Sequence, residues 1–386
     1  MNDTVEVLII GSGPYGLSLA SYLSFLGVDY KILGEPMSFW KSRHMRDDML
    51  MRSTFSHTYP ANPQGFEILE SWLKSNEIDG NGREINTLYP NEFRNFMSDF
   101  SRQYDIRSDT RRLARLSCTG QGFDCDLDDG SKMHANNVVV AVGLSGMENH
   151  PSWEKKYIDH PGVIHSSRLL DAGDWKGKRI LVVGGGQSSA EAIHYLGNAD
   201  NHIDMLIRKD GILYNSMHVA FSNERKQRLF KIINSFPHSP LEYRRDNCRT
   251  LLPVSIEPYL ENMVSTTAGL ISGQEIESVN GGDNGSSLRV DFKDGSSRDY
   301  DRIVYGTGYM STLDNLSFDI DFLNGSKIDR VGGLPDLDDT CESSVPGLYF
   351  IGALSALRAG PQVNFVFGTH NTIPRVVGKL TRYKQT

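Results

Sequence analysis

The residues of this chain best placed to do chemistry act through their backbone. Val7-Leu8-Ile9-Ile10 runs into Gly11-Ser12-Gly13-Pro14-Tyr15-Gly16, and Ile180-Leu181-Val182-Val183 runs into Gly184-Gly185-Gly186-Gln187-Ser188-Ser189. Each is a short apolar run, a cluster of glycines, then a helix-like stretch. Glycine lets the chain turn tightly and approach a pyrophosphate, whose charge then sits on the amides of a helix N-terminus. One such loop is a weak motif that needs a strand before it and a helix after it; both copies have that setting. Two loops imply two dinucleotides held at once, a flavin and a nicotinamide. About 20 residues beyond such a loop an acid usually takes the ribose hydroxyls. After the first loop that position is Gly34, with Glu35 next, either reaching the ribose across the turn or lying in water as a turn residue. Beyond the second loop stand Arg208 and Lys209. Guanidinium and phosphate pair bidentately, so bases here suit a 2′-phosphate and favour NADPH over NADH. The plainer alternative is a pair of surface cations ending a strand.

The elements that must position these loops occur twice in the same order. Behind the first loop come a helix, a strand over 29–33, a variable stretch and the hairpin segment Phe123–Leu127 with Asp128-Asp129-Gly130-Ser131. The strand Asn137-Val138-Val139-Val140 then ends in Ala141-Val142-Gly143. Behind the second come a helix, a strand over 203–207, another variable stretch and Leu288–Phe292 with Lys293-Asp294-Gly295-Ser296. Ile303-Val304-Tyr305 then ends in Gly306-Thr307-Gly308. Asp-Gly between alternating apolar strands predicts a hairpin, and small residues at a strand end let a nucleotide approach the backbone. The duplication predicts an α/β fold of two dinucleotide-binding, Rossmann-like (three-layer) domains. The expected partition assigns 1–165 and 299–386 to an FAD-binding domain and 166–298 to an inserted NADPH-binding domain. The chain is expected to return to the first domain through the strand near Ile303.

With 386 residues the chain can bury two cores. A net charge of −8 without a basic stripe argues against nucleic acid or an anionic membrane as an electrostatic partner. No apolar run approaches the roughly 18 residues of a membrane helix, and the start of the chain leaves no room for a signal peptide before the first strand. Cys118, Cys125, Cys248 and Cys341 form no C-x-x-C pair. That pattern argues against a disulfide framework or a metal site and for a reduced, cytoplasmic protein.

Gly11–Gly16, Gly184–Ser189 and Tyr305-Gly306-Thr307-Gly308-Tyr309 together resemble the FAD loop, NADPH loop and A-T-G-Y-type strand end of class B-type NADPH-dependent flavoprotein monooxygenases. These comprise flavin-containing, Baeyer–Villiger and N-hydroxylating (lysine/ornithine) branches. Gly184–Glu191 and His165-Ser166-Ser167 resemble the N-hydroxylating branch most. In the Baeyer–Villiger fingerprint an aromatic-x-Gly is followed by three residues and a His. Here His160 replaces the Phe, and only two residues separate Gly162 from His165.

The resemblance implies that Gly11, Ser12, Gly13, Pro14, Tyr15, Gly16 and Glu35, with the small-residue strand ends at Gly143, Gly308 and Gly352, hold FAD. It implies that Gly184, Gly186, Gln187, Ser188, Ser189, Arg208 and Lys209 hold NADPH. The segment Phe39, Trp40, Arg43, Met45, Leu50, Met51, Arg52 would run beside the isoalloxazine, with Trp40 against the ring and Arg52 on a flavin carbonyl. His57 is either a proton donor or an incidental loop histidine. Gly360-Pro361-Gln362-Val363-Asn364 looks like a helix start. Its positive end, carrying Gln362 and Asn364, would face the flavin pyrimidine edge. Disulfide reductases carry Gly-Asp where this chain has Gly352-Ala353, a second departure from dithiol chemistry.

The activity implied is hydride transfer from NADPH to FAD and addition of O2 to give a C4a-(hydro)peroxyflavin. One oxygen atom then passes to the amine nitrogen, or the sulfur, of a small-molecule substrate. The chemistry is borne by the flavin, so no side chain is assigned a catalytic role and no metal is expected. The same loops would serve an NAD(P)H-dependent flavin oxidoreductase without oxygen insertion, or a non-catalytic nucleotide-sensing flavoprotein. Residues 211–264 are a cap on the substrate cavity, a solvated excursion or a subunit contact, and homo-oligomerisation is left open.

Overall fold

Val5, Val7, Leu8, Ile9 and Ile10 of the strand Asp3–Ile10 are all buried. Beyond the exposed Thr4 and half-buried Glu6, the run Val7–Ile10 has no solvent face, as befits the inside of a parallel sheet covered on both sides. It lies between Tyr30–Leu33 and Lys132–Val140, parallel to both. The computed structural model describes residues 3–382 apart from 42–46, 80, 82, 84–85, 158–159, 172–174, 217–226, 228–230, 250–252, 283–286 and 323–326. Among these residues the first sheet has eight strands. Its order runs Asp319–Phe322, Leu113–Cys118, Phe123–Leu127, Lys132–Val140, Asp3–Ile10, Tyr30–Leu33, Ser108–Asp109, and Leu348–Phe350 pairs with the end of Lys132–Val140. The helix Pro14–Phe25 starts with proline in its first turn, where the missing N–H costs nothing. It packs against the C-terminal helix Thr369–Arg382.

The second sheet has five parallel strands in the order Ala268–Ile271, His202–Leu206, Arg179–Val183, Arg302–Tyr305, Val163–His165. A three-stranded antiparallel meander, Ile276–Gly281, Leu288–Phe292 and Ser297–Tyr300, accompanies it.

The duplication extends to individual hydrogen bonds. Gly11 N donates to Leu33 O (2.8 Å) and Gly184 N to Leu206 O (2.9 Å). Ala141 N donates to Ile10 O and Gly306 N to Val183 O, both at 2.7 Å. The two hairpins turn on Gly130 (φ +82°) and Gly295 (φ +84°), each with an aspartate accepting from the following serine amide at 2.9 Å.

One expectation is corrected. The strand through Ile303 does not return to the first domain: it pairs with Arg179–Val183 and Val163–His165 inside the second sheet. The boundaries at 165/166 and 298/299 therefore cut that sheet. Ile303–Gly308 closes the second copy of the plan just as Asn137–Gly143 closes the first. The chain rejoins the first sheet later, at Asp319–Phe322 and Leu348–Phe350. The two crossings between sheets run antiparallel side by side, with Met310 N donating to Met147 O (2.7 Å) and Asn149 N to Gly308 O (2.9 Å).

Candidate functional site

The first glycine loop opens onto a cavity of about 280 Å³ at the ends of the central strands. Gly11 has φ +114°, and a Cβ on it would fall 2.3 Å from Ala141 O, so only glycine fits between the strand ends. A Cβ on Gly16 would fall 1.9 Å from Gly11 O, which is how the third glycine lets helix and strand pack closely. Gly13 and Gly143 differ: nothing lies within 4 Å of where their Cβ atoms would be, and both line the cavity. That cradle, bounded by the amides opening the helix Pro14–Phe25, fits the pyrophosphate of a dinucleotide such as FAD.

Tyr15 holds the far wall. Its hydroxyl faces Val363 O (2.9 Å) and Phe365 O (3.0 Å) as donor, and its ring lies 3.5 Å from where a Cβ of Gly352 would stand. Burial pushes the phenol well above its ordinary range, so it stays a donor. Phe39, Trp40 and Tyr309 form an aromatic wall, with Trp40 edge-on to Phe93 (4.7 Å) and Phe39 to Tyr309 (5.8 Å). Burial, reinforced by Glu148 and Glu191, also raises the Tyr309 phenol.

The second loop is built alike but more closely covered. Gly184 has φ +128°, and its Cβ would fall 2.5 Å from Gly306 O. Ser189 takes the third-glycine position and is fully buried; the room for it comes from Gly306, whose own Cβ would fall 2.2 Å from Ser189 Oγ. A Cβ on Gly186 would meet Val254 at 3.1 Å. Gln187 Oε1 accepts from Glu257 N (3.0 Å), and its Nε2 donates to Glu191 (3.1 Å). Ser188, Arg208 and Lys209 are exposed, the two cations just past the strand His202–Leu206.

Gly11, Ser12, Gly13, Pro14, Tyr15, Trp40, Gly143, Gly352 and Asn364 thus meet in one cavity. Other expected residues do not line it. Gly16 sits behind the loop, against Gly11 O. Glu35 is about half exposed and paired with Lys41 at 2.7 Å. Gly308 lies at the domain crossing, its carbonyl accepting from Asn149 N (2.9 Å) and facing His165 Nε2 (3.2 Å). Gln362 is buried and donates to Ala359 O within its own turn. Arg52 is turned toward the other domain, where it bonds Glu257, Ser255 and Asn215, so the expected flavin-carbonyl contact is not the one this arrangement makes.

The expected helix after Gly360 is a single 3-10 turn, Pro361–Asn364, and the long helix begins only at Thr369. Four residues carry little dipole. His57 is held locally by Thr54 Oγ1 (2.7 Å) and lies edge-on to Phe367 (5.1 Å). Arg43, Met45 and part of 211–264 lie outside the described residues. Tyr309, inside the Tyr305–Tyr309 motif, lines the cavity without being an expected flavin contact, as do Ser38, Leu144, Ser145 and Phe365.

No dithiol is assembled. All four cysteines are free, and burial pushes the thiols of Cys125 and Cys341 up to about 12 and that of Cys118 up to about 11. These groups stay thiols rather than nucleophilic thiolates.

Residues 5–371 match the family described as pyridine nucleotide-disulphide oxidoreductase. A probable indole-3-pyruvate monooxygenase of Arabidopsis thaliana, YUCCA10, is 27% identical over 353 residues, which cover 82% of this chain and 85% of that protein. The thioredoxin reductase of Helicobacter pylori is 23% identical over 210 residues, 54% of this chain and 57% of its own length. The ornithine N-hydroxylase of Kutzneria sp. 744 superposes with a TM-score of 0.80 at 16% identity, covering 99% of this chain and 100% of that one. The cadaverine monooxygenase of Erwinia amylovora gives 0.77 at 17% identity, covering 99% and 95%. At these identities the superpositions establish a shared fold of two Rossmann-like domains.

Proposed function

The chain belongs to the pyridine nucleotide-disulphide oxidoreductase family, and within it we propose an FAD- and NADPH-dependent monooxygenase that hydroxylates the amine nitrogen of a small molecule. The observation that carries this reading is a pair of glycine loops of one plan, the first opening on an aromatic-walled cavity and the second closed by Gly306 of the segment that runs on to Tyr309 of that wall, without the dithiol of a disulfide reductase. Tyr309 lies in the first cavity, at the end of the segment that leaves the second sheet through Tyr305 and Gly306. The whole-chain likeness to ornithine and cadaverine hydroxylases supports nitrogen as the acceptor. It is closer than the TM-score of 0.63 reached by the bacillithiol disulfide reductase of Staphylococcus aureus. Sulfur is the second acceptor the same chemistry serves. Four unpaired cysteines suit a reducing cytoplasm, and no helix among the described residues is long and apolar enough to cross a membrane.

Bound in the first cavity, FAD would supply hydride acceptance from the nicotinamide and activation of O2. The chain's own residues do the rest. Gly11–Tyr15 seat the pyrophosphate on backbone amides, with Gly13 and Gly143 leaving it room. Tyr15 holds the segment 363–366 across the cavity. Phe39, Trp40 and Tyr309 shield the flat ring from water, which strengthens every electrostatic contact inside. Gly184–Ser188 seat the second pyrophosphate, and Arg208 and Lys209 hold the 2′-phosphate.

The test is product stoichiometry. NADPH and O2 consumption are measured with ornithine, lysine, cadaverine and small sulfides against the hydroxylamine or sulfoxide formed. One oxygenated product per NADPH with an amine supports the proposal. NADPH oxidation that yields only hydrogen peroxide with every substrate refutes it and leaves the oxidoreductase without oxygen insertion.

A further inference from the structure

Residues 48–52 belong by chain position to the first domain, yet three of them, Asp48, Met49 and Arg52, reach into the second. Met49 is buried in the second domain's core with Ile193, Ile256 and Leu260. Met51, two residues on, is buried in the first core, and its amide donates to Leu88 O (2.9 Å). Asp48 reaches to 3.6 Å from His194 on the helix Gln187–Gly197. Arg52 completes the bridge: Nε donates to Glu257 Oε1 (3.0 Å), Nη1 to Ser255 O (3.1 Å), and Nη2 to Ser255 Oγ (3.1 Å) and Asn215 O (3.3 Å).

Three of the four acceptors lie on the strap 253–257, and the fourth, Asn215 O, lies on the segment 213–215 paired with it. The two segments are joined by Ile256 N donating to Leu213 O (2.9 Å) and Asn215 N to Ile256 O (3.0 Å). The strap touches the second glycine loop at two points, where Val254 stands over Gly186 and Glu257 N donates to Gln187 Oε1. Glu257 is fully buried. A carboxylate there needs a cation and further donors, and a planar guanidinium reaches Glu257, Ser255 and the paired Asn215 from one side.

We infer that Arg52 is a positioning residue for the pyridine nucleotide: it fixes the strap 253–257 at the mouth of the second glycine loop and so sets the pyrophosphate seat. Met49 locks the same segment into the second core and holds that seat in register with the first cavity. The inference rests on reading the second loop as the NADPH site.

The test uses the full-length flavin-loaded protein as wild type, Arg52→Gln, Arg52→Lys and Ser255→Ala. NADP⁺ binding is read by calorimetry, and amide hydrogen exchange is followed in the peptide covering 253–257. Arg52→Gln is expected to weaken NADP⁺ about tenfold or more and to speed exchange in that peptide, with flavin content unchanged. Arg52→Lys keeps the ion pair but loses the fork, and falls between. Ser255→Ala removes one contact and is expected to weaken NADP⁺ about two- to fivefold; it serves as the decisive variant if Arg52→Gln does not fold. A lower melting temperature with NADP⁺ affinity and exchange both unmoved would reduce Arg52 to a structural residue and overturn the inference alone. Failure of the wild type to bind NADP⁺ would overturn the reading of the second loop, and the inference with it.

Discussion

Tyr15→Phe isolates one hydroxyl that the structure places between the nucleotide loop and the C-terminal segment. The ring stays, still covering Gly352, and the backbone of the loop is untouched. What is lost is the donor shared by Val363 O and Phe365 O, at 2.9 and 3.0 Å. Val363 is 2% exposed, so its carbonyl cannot simply turn to water. A buried acceptor left without its partner costs about 1–3 kcal/mol. At about 2–4 °C per kcal/mol for a domain of roughly 150–250 residues, that lowers the melting temperature by about 2–12 °C. Because 363–366 also wall the cavity, flavin affinity loses up to the same energy, a weakening of as much as about fivefold to 150-fold. The assay is FAD titration of the apoprotein by fluorescence quenching beside a thermal melt with and without FAD. Wild-type affinity together with a wild-type melt would show that other contacts hold 363–366, and would refute the role given to Tyr15.

Other substitutions separate folding from binding. Gly13→Ala is expected to leave apoprotein stability within about 1 kcal/mol, since its φ of −90° suits alanine and the new methyl meets empty space. The methyl occupies the cradle, however, so FAD retention after gel filtration should fall at least about tenfold. Gly16→Ala drives a Cβ to 1.9 Å from a backbone oxygen that cannot give way. It should destabilise by about 3 kcal/mol or more and yield little folded protein in a denaturant titration. Arg208→Ser should raise the KM for NADPH about ten- to a hundredfold while leaving that for NADH unchanged, a result that equal losses for both cofactors would contradict. Burial of His370 pushes its imidazole below the ordinary 6.5, partly offset by its bond to Tyr59 O. The unfolded chain therefore takes up a proton near pH 6.5 that the folded chain accepts only at lower pH. The contribution to stability is full above that value, falls as pH drops through it, and levels off below the folded value. His370→Gln should flatten the fall of melting temperature as pH drops below about 6.5.

Much of this architecture was legible because it obeys local rules. An apolar run breaking into glycines, Asp-Gly between alternating strands, and small residues at a strand end each report a backbone requirement that neighbours in sequence satisfy. Their repetition announced two dinucleotide folds before any contact was known. Placing the strand through Ile303 needed only that logic carried one step further, since the segment that closes the second copy belongs to the second sheet. Gly34 at the usual acid position and Ser189 at the usual third-glycine position were visible departures. The sequence alone could not say that Gly306 makes the room Ser189 takes.

The amino-acid sequence by itself determined the fold class, the two glycine loops, their hairpins and the absence of a cysteine pair. Tertiary structure decided everything that depends on which distant side chains share a space. Arg52 looked like a flavin ligand because it follows the aromatic segment. It instead turns outward, because Glu257, 205 residues away, is a buried carboxylate. Gln362 looked free to face a cofactor, but a 3-10 turn folds its amide back onto Ala359. Met49 and Met51 read alike in sequence and lie in different cores. Backbone geometry is set within a few residues and can be read from them. The partner of a long polar or apolar side chain is set by where strands and loops far apart in the chain come together, and that is decided only by packing.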